Sequence, residues 1–269
     1  SALVDITTGT QNVMVGFQAG KDITIGRYNT AIGTQALYAD TIGDNSTAIG
    51  YNALYSQLSN SNNETTGNTA VGRYAGVFNI QGNNNTYIGD RAGLGVGSKS
   101  HSGCVFIGKD AGLTAYTGDN NIAIGYGAMD DTDADATVGA SHDNIFMGKD
   151  AGGGIWATAA SNDNVGIGSL AMRGVMNGAL RNTAVGNYSL YTLTSGDDNT
   201  AVGEGALNAL TSGSDNIGVG RSSAVALTTG ERNIAIGVLA LDAADGAETD
   251  NIAIGYDAMG DLNLDTALQ

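Results

Sequence analysis

An aliphatic residue followed by glycine, with asparagine three positions before the aliphatic, recurs along this chain at nearly fixed intervals. Fourteen such strings end at Gly16, Gly33, Gly50, Gly72, Gly89, Gly108, Gly125, Gly148, Gly168, Gly186, Gly203, Gly220, Gly237 and Gly255. Seven of the thirteen steps between these anchor glycines are 17 residues, and the other six are longer by one to six. A fixed minimum with variable excess marks a structural unit whose turns accept insertions. A unit this short cannot bury an apolar face by itself, so it must be buried by stacking on its neighbours.

Positions inside the unit follow one scheme. The residue before the anchor is aliphatic in every unit, and the residue three before it is always Thr, Val or Ile. These two share one face of a strand, because side chains alternate with a period of two. They are expected to face the core and to stack in columns such as Ile49, Val71 and Ile88. The residue two before the anchor points the other way. It is Ala in eight units and Gly in two, small enough for close approach between chains. Four before the anchor stands Asn in twelve units, with Ser46 and Cys104 as exceptions; three after it stands Ala, with Ser189 and Ser223 as exceptions. The residue just after the anchor varies freely and is expected to be solvated. The segment that follows, as in Ala206–Gly213, reads as a second strand, with one helical turn as the alternative; it is too short for a free-standing helix.

The expected fold is therefore all-β: a parallel β-solenoid or β-roll of about fourteen 17-residue coils, one domain over 1–269. The absence of proline agrees, because each coil must donate its N–H groups to the next. Repeat glycines and asparagines such as Asn68, Gly72, Asn182, Gly186, Asn199, Gly203, Asn233 and Gly237 are expected to be structural, at corners that need left-handed backbone or close approach. Neither end reads as a cap, so the expectation is a piece of a longer fibre or open ends that stack on other subunits.

Charge narrows the partners. Asp and Glu number 27 against 11 Lys and Arg, for a net charge of −16. Nucleic acid binding needs clustered Lys and Arg, so it is not expected. No apolar run is long enough for a transmembrane helix. One cysteine, Cys104, gives no internal disulfide framework.

The string Asn-Thr-Ala-Val-Gly-x-x-Ala, at Asn68–Ala75 and Asn199–Ala206, resembles the head repeats of trimeric autotransporter adhesins and the repeats of phage tail-fibre and tailspike proteins. The resemblance extends from about Ala2 to Met259. It implies a left-handed parallel β-roll assembled as a tight homotrimer, extracellular, on a virion tail or a bacterial cell surface. The unit here is longer than in the adhesin heads and closer to the tail-fibre variety. The implied function is a structural and attachment fibre that presents a site for a host-surface glycan or protein. The alternatives are a spacer or head-to-tail filament subunit without ligand, and a glycan-cleaving tailspike.

Candidate sites fall where the repeat is interrupted. Insertions lie at 94–103, 130–143 and 152–163 and are expected to protrude from one edge. They carry Trp156, His101 and His142, which together with Tyr116 are the candidate binding residues, since loops carry function and aromatics dominate interfaces. The competing reading tucks Trp156 over the roll. Asp130, Asp131, Asp133 and Asp135 could ligate Ca²⁺ through oxygen, but the stretch lacks the EF-hand arrangement and reads first as a solvated acidic loop. No other cofactor and no catalytic residue is expected: His101 and Cys104 are close in sequence, yet Cys104 occupies the Asn slot of its repeat.

Overall fold

The computed structural model of the chain describes residues 8–59, 65–95, 100–114, 118–131, 141–156, 159–243 and 246–260. The chain divides into two compact units, 1–130 and 131–269. Each unit is an all-β parallel solenoid, with one three-residue strand per coil and no helix among the described residues.

Unit 1 contains β1 (Val13–Val15), β2 (Thr30–Ile32), β3 (Thr47–Ile49), β4 (Thr69–Val71), β5 (Thr86–Ile88), β6 (Val105–Ile107) and β7 (Ile122–Ile124). Unit 2 contains β8 (Ile145–Met147), β9 (Val165–Ile167), β10 (Thr183–Val185), β11 (Thr200–Val202), β12 (Ile217–Val219), β13 (Ile234–Ile236) and β14 (Ile252–Ile254). Within each unit every strand pairs in parallel with the next in sequence, and repeat positions align. Ile49 pairs with Val71 and Val71 with Ile88, as the periodicity predicts.

The face that these columns present is the reverse of the expectation. The middle residue is buried in every strand except β1, where Met14 is half-buried: Ala31, Ala48, Ala70, Ala184, Ala201 and Ala235 are all 0% exposed. The flanking Thr, Val and Ile point outward. The reason is the narrowness of the coil. Its interior already holds the Ala three after each anchor, a Leu or Met after that Ala in many coils, and the Asn four before the anchor. Only a small residue fits between them, so the small position packs inside and is not a surface for another chain.

Size compensation shows how tight this interior is. Where the middle strand residue is large, the fourth residue after the anchor is Gly: Met14 with Gly20, Tyr87 with Gly93, Phe106 with Gly112 and Phe146 with Gly152. A Cβ on Gly112 would lie 2.5 Å from the Phe106 ring, and one on Gly20 would lie 2.5 Å from the Met14 sulfur. Where the middle residue is Ala, the same place is often Leu, as in Ala201 with Leu207, and each buried Leu contributes about 1.5–3 kcal/mol.

The segment after each anchor is a turn, not a second strand. Its second and fourth residues recurrently take left-handed backbone, as at Asn52 and Leu54 (φ 55° and 49°). A strand cannot run through two such residues.

The repeat asparagines lie inside and form a ladder along each unit. In unit 2 it runs without a break from Asn144 through Asn164, Asn182, Asn199, Asn216 and Asn233 to Asn251. Asn199 is typical. Its Oδ1 accepts from both the backbone N and Nδ2 of Asn216 at 3.0 Å, while its Nδ2 donates to Asn182 Oδ1 at 3.0 Å and across the coil to Gly213 O at 2.8 Å. In unit 1 the ladder is patched where Asn is missing. Ser46 Oγ lies 2.6 Å from Thr66 Oγ1 and accepts from Gln57 Nε2, whose Oε1 accepts from Asn68. Cys104 Sγ donates to Gly118 O at 3.3 Å, the role that Nδ2 plays elsewhere.

Candidate functional site

Every strand of each unit contributes its flanking residues to one outward face. Ile32, Ile88, Ile167, Val202, Ile217 and Ile236 keep 38–40% of their surface exposed although strands cover them from above and below. That remainder faces straight out from the sheet. Not one residue of the fourteen strands is charged, in a chain of net charge −16. The charges sit on the turns that border the strands. Arg181 Nε lies 2.7 Å from Asp198 Oδ1 and Arg232 Nε 2.7 Å from Asp250 Oδ1, each pair one coil apart. Arg73 pairs with Asp90 in the same way on the other border, at 2.8 Å. The hydrogen-bonded guanidinium of the partner arginine holds the carboxyls of Asp90, Asp198 and Asp250 below the usual range. These pairs are solvated and screened, so they contribute little stability. What they do is frame an uncharged, β-branched stripe. Large exposed apolar patches are characteristic of interaction surfaces.

The residues just after the anchors are solvated as expected: Phe17, Tyr51, Tyr126 and Tyr256 are all exposed. The insertion residues behave differently. Trp156 is 1% exposed; it packs at 72° against Phe146 with ring centroids 5.7 Å apart, and its Nε1 donates to Gly152 O at 3.0 Å. It is a core residue of unit 2, so the expectation of an exposed anchor fails and the tucked reading holds. His101 is likewise buried, inside unit 1. Its Nε2 lies 2.7 Å from the Tyr87 hydroxyl, which also accepts from Asn79 Nδ2 at 2.9 Å. Burial lowers the His101 pKa to about 4 and raises that of Tyr87, so the imidazole is neutral and the phenol protonated. His142 is half-buried in unit 2, and its backbone N donates to Asn162 Oδ1 at 2.8 Å.

His101 and Cys104 do not form a nucleophile–base pair. The ring nitrogen of His101 is engaged by Tyr87, and burial pushes the Cys104 thiol up to about 12. Tyr116, Asp133 and Asp135 lie outside the described residues, as do the tips of all three insertions. Asp130 and Asp131 are half-buried, and their backbone carbonyls accept from Thr114 and Trp156 respectively. Among the described residues no group of three or more His, Cys, Asp or Glu is placed to hold a metal ion.

No signal in the periodicity alone would have found the outward stripe, because period two says which residues share a face but not which face is buried. The pairing of large strand residues with Gly did carry that information. The chain matches no family model, no curated protein and no solved structure.

Proposed function

We propose that this chain is a structural and attachment segment of an extracellular fibre, of the kind carried by phage tails or bacterial surface adhesins, assembled through its strand faces as a homotrimer. One observation supports the assembly above all: a charge-free stripe of Thr, Val and Ile on the strands of each unit, bordered by charged turns. The stripe repeats with the coil rise of about 4.8 Å. A surface with the same rise and the same β-branched side chains matches it best, and a second copy of the chain supplies one. Three copies rather than two follow from the resemblance to adhesin heads and tail fibres.

Light scattering on the purified chain at micromolar concentration tests this. The expected mass is three times that of the chain, and Ile236→Lys, on an outward side chain of β13, is expected to lower it while leaving the circular dichroism unchanged. A monomeric wild-type chain overturns the assembly. A spacer without ligand is the second reading. It is favoured by the burial of Trp156 and His101, two of the residues that an attachment loop was expected to present.

A further inference from the structure

Unit 1 carries a cleft of about 480 Å³ on the turns beside its strand face. One wall is formed by the second residue after the anchor in four successive coils: Gln35, Asn52, Tyr74 and Arg91. All four have left-handed backbone, with φ between 55° and 59°, so the backbone fixes the direction in which each side chain leaves the turn. The opposite wall comes from the fifth and sixth residues after the anchor, chiefly Tyr55 and Phe78. We infer that this cleft binds a neutral saccharide. The inference rests on the attachment reading above and supplies the site that the buried Trp156 and His101 do not.

The rings are preset for stacking. Tyr55 lies parallel to Tyr38, with centroids 4.9 Å apart and planes 16° apart, and Tyr74 is held edge-on by Tyr51 at 5.3 Å. Phe78 keeps 40% of its surface exposed, which is a cost in water unless something covers it. Such rings suit the C–H faces of a sugar ring, with no rotamer freedom left to lose where they are already stacked.

Between the rings stand groups that suit hydroxyls. Gln35 donates through Nε2 to Gln18 Oε1 at 3.1 Å, and Asn52 Oδ1 is buried with no donor. Arg91 is held by Asp110, with Nη2 2.8 Å from Oδ2 and Nε 2.7 Å from Oδ1. Its charge is therefore already matched, and the cleft offers an anion nothing beyond hydrogen-bond donors in a chain of net charge −16. A purely apolar ligand would offer nothing to the remaining N–H groups of Gln35 and Arg91 or to Asn52 Oδ1. A hydroxyl both donates and accepts, so a neutral sugar meets both kinds of wall. Pockets of roughly 300–1,000 Å³ are the usual size for small ligands, and this one is of that order. Unit 2 has a smaller cleft of about 270 Å³, with Tyr191 as its one aromatic beside Arg173 and Thr192; it lacks the facing rings.

A glycan array carrying neutral and anionic oligosaccharides, followed by calorimetric titration of the full chain with maltotetraose, cellotetraose and chitotetraose, tests the inference. Saturable binding of a neutral oligosaccharide is expected. Tyr55→Ala and Phe78→Ala should each weaken it about tenfold, the scale of one lost anchor residue. Phe78→Trp, which keeps a stacking face, should retain it and guards against a loss due to misfolding. Ile236→Lys, on the strand face of unit 2, should change the oligomer mass without changing intrinsic affinity per chain. Absence of binding by every neutral glycan, binding by anionic glycans alone, or affinity unchanged in both alanine variants overturns the cleft. A trimer that binds no neutral glycan removes the cleft and leaves the assembly standing; a monomer that binds one does the reverse.

Discussion

Replacing Asn199 by Ala should destabilise unit 2 by about 4 kcal/mol, far more than a typical substitution. The magnitude follows from what the amide does. Asn199 is 0% exposed. Its removal leaves Asn216 N–H without an acceptor and Gly213 O without the Asn199 donor, both inside the coil. Asn216 Nδ2 keeps bonds to Ser214 O and Gly230 O, and Asn182 Oδ1 keeps the Asn199 backbone N–H. Two buried groups are thus orphaned, at about 1–3 kcal/mol each. The internal control is Asn251, the last rung. Its Nδ2 donates to Asn233 Oδ1, which keeps the Asn251 backbone N–H, and to Thr249 O at the surface. Asn251→Ala should therefore cost less than about 1 kcal/mol. Urea unfolding followed by Trp156 fluorescence reads unit 2 directly, because that is the chain's one Trp and it is buried there. Circular dichroism on the same samples checks that the transition is single, which stacked repeats do not guarantee. Equal losses for the two variants, or a loss below about 1 kcal/mol for Asn199→Ala, would refute the ladder as a stabilising device.

Gly203 has φ 140° and a Cβ there would lie 2.4 Å from Gly220 O, whereas Gly205 has φ 65° and nothing nearer than 3.8 Å. Gly203→Ala should cost about 3 kcal/mol or more and Gly205→Ala about 1, by the same urea assay. Phe106→Ala should cost about 3–5 kcal/mol through the cavity it leaves, and Gly112→Leu should destabilise by overpacking. The double variant should recover most of both losses, since Leu190 and Leu207 sit at that repeat position with φ 47° and 50°; additive losses in a double-mutant cycle would refute the size compensation. His101, lowered to about 4 by burial, leaves unit 1 the weaker proton binder relative to its unfolded chain. Stability should therefore be full above about pH 6.5 and fall as the pH drops towards 4, by roughly 3 kcal/mol in all, and an NMR titration of the assigned His101 resonance with a midpoint near 6.5 would contradict it.

The coil was legible because glycine and asparagine answer to the backbone. Gly203 stands where φ excludes a side chain, and Asn199 stands where a buried carbonyl and amide need a partner, so the glycine recurs in every unit and the asparagine in twelve of fourteen, whatever lies between. The direction of the strand was not legible from aliphatic spacing. Ile32 and Thr30 look like core by composition, and in most sheets they would be. Here the interior is only wide enough for Ala31, Leu37 and the Asn29 amide. The clue was present in a different place, in Gly93, Gly112 and Gly152 beside Tyr87, Phe106 and Phe146. Trp156 misled for a related reason: an insertion looks like a surface loop, yet the same insertion can fold its one large ring back over Phe146. The cleft of unit 1 was invisible because Tyr55 belongs to one coil and Tyr74 and Phe78 to the next, and they converge only after stacking.

The inversion of the strand face separates two sources of stability that are usually merged. In most coils the strand contributes only one small side chain to the interior, and hydrogen-bond columns and glycine contacts hold successive coils together. The β-branched side chains are outside, two per strand except in β8, where Met147 takes one of the two places. Covering the exposed two-fifths of one Ile is worth about 1 kcal/mol. Two columns of seven, some of them Thr, therefore offer roughly 10 kcal/mol per unit in the proposed assembly. Association itself costs roughly 4–15 kcal/mol. One unit's stripe is thus marginal for holding chains together, and a single charge placed on it can tip the balance without touching the ladder. That is why Ile236→Lys is the variant to set against Asn199→Ala: the first acts on association and the second on the coil, and an effect of both on the same measurement would mean that the two are not separable in this fold.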